Sequence, residues 1–185
     1  MEKALKLDVM EIFSPPRVTV TARNWGFRVG EAMDLTTGWN FNKKEDRDKA
    51  WAYVIENEPF LIIGSPCCTM FSQLQNLHQW TADDWTRYRE GVKHIEFLVE
   101  MYRYQMEKGR IFLHEHPLTA TSWKLKEVDK LMHDQRVYAC TADQCMYGLT
   151  TTSRGSKSAK AKKPTRFLTN GAELAKELRR RCNQT

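Results

Sequence analysis

The chain has 185 residues, a formal net charge of +6, 41% hydrophobic residues and 28% charged residues. That composition suits one globular domain with a sizeable core and excludes an intrinsically disordered chain. No apolar run is long enough to span a bilayer and no signal-peptide pattern opens the sequence, so the expectation is a non-secreted protein of the cytoplasm or nucleus without membrane contact.

The first apolar run, residues 7–13, stops at Ser14-Pro15-Pro16 and reads as a buried strand closed by a turn. A helix is expected over 17–25 and a second strand near 31–35, followed by a loop opened by Thr36-Thr37-Gly38. Residues 44–56 have helical spacing, with Ala50, Tyr53 and Val54 facing a core. The compact strand 60–63 runs straight into Gly64-Ser65-Pro66-Cys67-Cys68. The longest helix is expected over 83–108, started by Thr81 and Asp83-Asp84. Strand 110–114 leads into Glu115-His116-Pro117, and a helix over 124–133 and a strand over 136–140 come next. Segments 144–149 and 165–169 are expected to pair as a hairpin about a flexible basic loop at 150–163, before a terminal helix over 172–181. Alternating strands and helices predict one α/β domain, with a mostly parallel sheet covered by helices on both faces and a late antiparallel hairpin.

Ligands of such sheets bind beyond the carboxyl ends of the strands. Ser14, Asp34, Cys68 and Glu115 all fall at or just after a strand end. A thiol on a Pro-stiffened turn can act as a nucleophile, or it can simply be a small residue closing the turn. A partly buried carboxyl at a strand end can hold or deliver a proton, or it can be an ordinary ion-pair partner. Strand alternation puts His114 and His116 on one side and Glu115 on the other. Asp34 suits a ribose or a turn cap, and Trp39 suits core packing or stacking on a base. The segment 154–166 is rich in Lys and Arg and has no acid, and Arg179-Arg180-Arg181 follow. That asymmetry points to nucleic acid, or else to a solvated loop and a charged helix end.

Gly64-Ser65-Pro66-Cys67-Cys68-Thr69-Met70-Phe71-Ser72, followed by a strand ending in Glu115-His116-Pro117, resembles the catalytic core of DNA cytosine C5-methyltransferases. Cys68 matches that family's nucleophile, with Cys67 in the preceding Pro position, and Glu115 matches its glutamate. Glu11-Ile12-Phe13-Ser14 resembles the opening strand, and residues 143–148 and 163–170 resemble the late hairpin of short phage-type members. Ser14-Pro15-Pro16-Arg17-Val18-Thr19, residues 34–39 and the late Lys163-Pro164-Thr165 also resemble methyltransferase-like reading frames of viruses and mobile elements. The resemblance implies a Rossmann-like class I methyltransferase fold and S-adenosylmethionine as cofactor. It implies methyl transfer to C5 of cytosine, in DNA by preference, through a covalent Cys68 adduct supported by Glu115. Phe13, Ser14, Asp34, Leu35, Trp39 and Pro66 are then the expected cofactor contacts. Ser72, Gln73 and Gln75 lie in the loop expected to close over the base. Arg154, Lys157, Lys160, Lys162, Lys163 and Arg166 are the expected nucleic-acid contacts.

The sequence departs from the family at its first turn, where Pro15-Pro16-Arg17 replaces a glycine-rich stretch. The family's Gln-x-Arg-x-Arg has no clear copy, and Arg154 and Arg166 are its candidate substitutes. No segment is long enough for a separate target-recognition domain, which leaves low selectivity or a second subunit. Three other readings stay open: a catalytically silent nucleic-acid-binding protein, a zinc-dependent nucleobase enzyme built on Cys67, Cys68, His114, His116 and Cys145, and a purely structural or interaction protein whose basic loop is its active surface. No metal is expected under the methyltransferase reading.

Overall fold

A computed structural model describes residues 6–152 and 159–183. Six strands form the main sheet: β1 (Leu7–Ile12), β2 (Val29–Met33), β3 (Pro59–Gly64), β4 (Ile111–Pro117), β5 (Tyr138–Asp143) and β8 (Pro164–Thr169). Their spatial order is β2-β1-β3-β4-β8-β5. The four strands from β2 to β4 run parallel, whereas β8 is antiparallel to both of its neighbours. A separate two-stranded hairpin joins β6 (Thr150–Thr151) to β7 (Ala159–Lys160). The expected α/β class and mostly parallel sheet are therefore present.

One expectation needs correction. Residues 144–149 do not pair with 165–169; Gln144–Tyr147 is a short 3-10 helix ended by Gly148 in the left-handed region. The strand β8 lies instead between β4 and β5. Its residues 165 and 167–169 are buried, which a central position demands and a surface hairpin would not.

Each sheet face packs on its own helices. Met10, Ile12, Ile62, Phe112 and Leu168 join α2 (Lys44–Asn57), α3 (Ala82–Glu107) and α4 (Lys126–Met132) in the larger core. Val9, Ile63, Leu113 and Phe167 point the other way, toward α1 (Val18–Asn24) and α5 (Ala172–Glu177). The α3 start is fixed by a reciprocal cap between Thr81 and Asp84. Its core side runs through Ile95, Leu98, Tyr102 and Met106, a helical spacing. The terminal helix stops at Glu177, earlier than expected, because residues 180–182 leave it to bond back to Asp143.

Gly64 matters to this packing. A Cβ there would lie 1.9 Å from the Tyr102 hydroxyl, so only glycine lets α3 sit so close to β3. No helix among the described residues is long and apolar enough to cross a membrane.

Candidate active site

The chain steps from β1 out to β2 and then back across to β3, so strand order reverses between β1 and β3. In open α/β sheets that reversal leaves a crevice at the strand ends. The segments that follow β1 and β3 meet there, tied by Ser65 N donating to Ile12 O at 3.2 Å.

Phe13 turns the chain away from β1 with φ of 57°, in the left-handed region that a bulky residue rarely adopts. Its ring packs on Phe41 at 4.5 Å and on His94 at 4.9 Å. After it, the buried carboxylate of Glu11 gathers the turn. Glu11 accepts from Ser14 Oγ at 2.9 Å, Arg17 N at 3.1 Å, Thr19 N at 2.8 Å and Thr19 Oγ1 at 2.7 Å. With Pro15 and Pro16 lacking N–H groups, this turn keeps few amides for a ligand. The turn is organised by an internal glutamate cap. Sequence reading missed that role, although a Glu inside an apolar strand was its available signal.

Two neighbouring cavities open at the crevice. The first, about 430 Å³, is lined by Cys68, Glu115, Gln144 and Lys163, together with Glu11, Ser14, Arg17 and Pro66. The second, about 270 Å³, is lined by Phe13, Asp34, Leu35, Trp39, Phe41, Ser65, Cys67 and His94. Phe13, Ser65 and Cys67 belong to both. Cys68 and Glu115 thus share one cavity, and Phe13, Asp34, Leu35 and Trp39 gather in the other. Ser14 and Pro66 line the first cavity rather than the second.

Glu115 projects from β4 opposite His114 and His116, as strand alternation requires. Gln144 Nε2 donates to its Oε1 at 3.2 Å and to Thr165 Oγ1 at 3.0 Å. Lys163 Nζ lies 3.9 Å from the same carboxylate oxygen. Burial pushes the Glu115 pKa up, partly offset by Lys163 and Arg17. Burial also raises the Cys68 thiol, helped by Cys67 and Glu115 and opposed by Lys163. Both groups are therefore biased toward their protonated forms, and Lys163 is the cation that moderates each.

His116 holds the cysteine segment from behind. Its Nε2–H donates to Pro66 O at 3.0 Å, and Ser122 Oγ donates to Nδ1 at 2.6 Å. Burial is the main reason that its pKa falls to about 4, so the ring is neutral at pH 7. With both ring nitrogens engaged, His116 cannot ligate a metal without breaking this clamp. His114 meets Tyr102 OH at 3.1 Å. Among the described residues no group of three His, Cys, Asp or Glu side chains converges as a metal centre.

The remaining expected residues spread differently. Asp34 Oδ1 accepts from Thr36 N at 2.9 Å and Thr36 Oγ1 at 2.8 Å, so it caps a 3-10 helix at the cavity rim. Ser72 caps the next 3-10 helix by accepting from Leu74 N, and Gln75 Nε2 donates to Thr69 O. Gln73 is exposed. Arg166 lies with its guanidinium 5.2 Å over the Trp123 ring, on the His116 face of the sheet and away from Glu115. Arg166 therefore does not line the cavity, whereas Lys163 does. Lys160 and Lys162 are exposed on the approach to β8; Arg154 and Lys157 lie outside the described residues. No protein-family model matches the chain, and no curated protein matches it.

Proposed function

We propose that this chain is an S-adenosylmethionine-dependent methyltransferase of Rossmann-like class I architecture that acts on C5 of cytosine in nucleic acid, DNA by preference. The observation that carries the reading is the shared cavity of Cys68 and Glu115, joined through Phe13, Ser65 and Cys67 to an aromatic cavity beside it.

The second cavity suits an adenosine moiety. Phe13, Trp39 and Phe41 offer aromatic faces, and Asp34 stands at the end of β2 where acidic residues meet a ribose. A dinucleotide would need open amides at the first helix start for its pyrophosphate. Glu11 occupies two of those amides and adds a negative charge, so the turn disfavours phosphate and tolerates a cofactor that has none. S-adenosylmethionine is such a molecule, and when bound it supplies an electrophilic methyl group.

The chain's own residues account for the rest of the chemistry. The Cys68 thiol passes its proton to water, and its sulfur bonds to C6 of the pyrimidine as the C5–C6 double bond opens and the electron pair moves onto the ring. Glu115, held toward its acid form by burial, donates a hydrogen bond or proton at N3 as charge builds on the ring. Gln144 orients the Glu115 carboxyl, and Lys163 restrains the rise of both pKa values. With C5 methylated, water takes the C5 proton, the C5–C6 double bond re-forms and the C6–S bond breaks to release Cys68. His116 keeps the Pro66-Cys67-Cys68 turn in register with β4.

A duplex carrying 5-fluorocytosine tests this directly, because fluorine at C5 leaves no proton to lose and the Cys68 adduct cannot be released. With S-adenosylmethionine present, the protein should form a covalent nucleic-acid adduct that survives denaturing electrophoresis. Cys68→Ala should form none, and Glu115→Gln should form it far more slowly. An unchanged adduct yield with Cys68→Ala would overturn the assignment. Tight nucleic-acid binding with neither adduct nor cofactor binding would instead favour the silent binding protein, a reading that the missing glycine-rich turn supports.

A further inference from the structure

The C-terminal segment folds back over the end of β5, and its contacts bracket a buried thiol. Asp143, the last residue of β5, donates from its N to Arg180 O at 3.0 Å, and its Oδ2 accepts from Cys182 N at 2.8 Å. Arg181 Nε lies 3.2 Å from the same carboxylate oxygen. On the far side, Tyr147 OH donates to Glu177 O at 2.6 Å and accepts from Arg180 N at 3.4 Å. Cys145 sits between Asp143 and Tyr147, buried in the 3-10 helix Gln144–Tyr147. The half-buried Cys182 meets it there, and a hydrogen bond joins the two side chains. Neither thiol lines the Cys68 cavity, yet their short helix begins at Gln144, which holds Glu115.

We propose that Cys145 and Cys182 are a modification site, a dithiol that closes to a reversible disulfide on reaction with a small disulfide of the glutathione class. The inference stands apart from the methyl-transfer reading. Cys182 is the point of entry, because it keeps solvent access while Cys145 is 3% exposed. Burial above all, with Cys182 and Asp143 adding to it, keeps the Cys145 thiol protonated, so Cys145 acts second. In the first exchange the Cys182 thiolate attacks one sulfur of the oxidant, whose S–S bond breaks. One small thiol leaves, carrying the proton that Cys182 gave up. In the second exchange the Cys145 sulfur attacks the Cys182 sulfur of the mixed disulfide, and the other small thiol leaves with the Cys145 proton. Two protein thiols are thereby oxidised to one disulfide, and the oxidant is reduced to two thiols. The new bond is a covalent strap across the helix that begins at Gln144, so it bears on one wall of the cavity. In a reducing compartment such a bond is transient, as a redox-sensing site requires.

The test incubates the purified full-length chain with oxidised glutathione, alkylates the remaining thiols and maps the linkages by mass spectrometry. A bond between Cys145 and Cys182 is expected. The melting temperature should rise by about 10 °C, because the bond constrains the unfolded chain, and dithiothreitol should restore it. Cys182→Ser should show neither change. The comparison uses Cys182 rather than Cys145, whose buried position makes its substitution a change of packing as well. Glutathione left on Cys182 alone, Cys182 joined to another cysteine or to a second copy, or both thiols alkylated would overturn the pairing. A bond that leaves the melting temperature unchanged would overturn the strap, and a rise that survives Cys182→Ser would place it at a different pair. None of these readouts requires cofactor or nucleic acid, so they are decided separately from the 5-fluorocytosine adduct.

Discussion

At the scale of single residues, the site depends on uncharged histidines as much as on the thiol and the carboxyl. His116 bridges Ser122 and Pro66, and its pKa of about 4 is depressed chiefly by burial. In the unfolded chain an imidazole titrates near its usual 6.5. Between these two values the unfolded state holds more protons, so stability rises with pH across the window and is lost as pH falls from about 6.5 toward 4. The full difference corresponds to roughly 3 kcal/mol. Denaturant midpoints measured from pH 7 down to pH 4.5 should fall steadily for the parent and less steeply for His116→Gln. Equal slopes would mean that His116 is not the group responsible. The same residue shows how a sequence motif can mislead: His-Glu-His invites a metal reading, yet alternation along β4 sends the two imidazoles into the core opposite Glu115.

At the scale of elements, the contact between β3 and α3 lies just before the cysteine segment. It is permitted by Gly64, whose Cβ position is taken by the Tyr102 hydroxyl and hemmed in by Leu98. Gly64→Ala must push α3 away or distort the strand end, and overpacking of this kind costs about 1–3 kcal/mol. Thermal or denaturant unfolding should register that loss, and Tyr102→Phe in the same chain should recover part of it; no recovery would place the clash elsewhere. Most elements were readable from the sequence because periodicity and caps agree locally. The run 7–13 and the Thr81 start of α3 each declare themselves within a few residues. What the sequence hid was non-local. Nothing near residues 165–169 says that they insert between β4 and β5 rather than pair with 144–149. The Glu11 cap was missed for a different reason: its partners lie only three to eight residues on, but they meet the carboxylate only where the chain turns back after β1.

At the scale of the whole molecule, the site is an assembly from distant parts of the chain, and its legibility follows from that. Cys68, Glu115 and Asp34 could be found singly, each by its place at a strand end. Gln144 could not, and Lys163 was expected only as a nucleic-acid contact, because their reach to Glu115 depends on non-local packing around β8. Lys163 also joins the cavity to the basic surface, with Lys160 and Lys162 exposed just before it. If that surface meets nucleic acid through phosphates, binding must weaken linearly in log affinity against log salt, since each neutralised phosphate releases condensed counterions. Each lost contact should reduce the slope by about 0.9 for a duplex and about 0.7 for a single strand. Lys160→Gln/Lys162→Gln should therefore flatten the slope by roughly 1.8 on duplex while leaving the fold intact. Fluorescence anisotropy titrations between low and moderate salt measure this. A slope unchanged by the two substitutions would remove these lysines from the interface and return the basic segment to an ordinary solvated face.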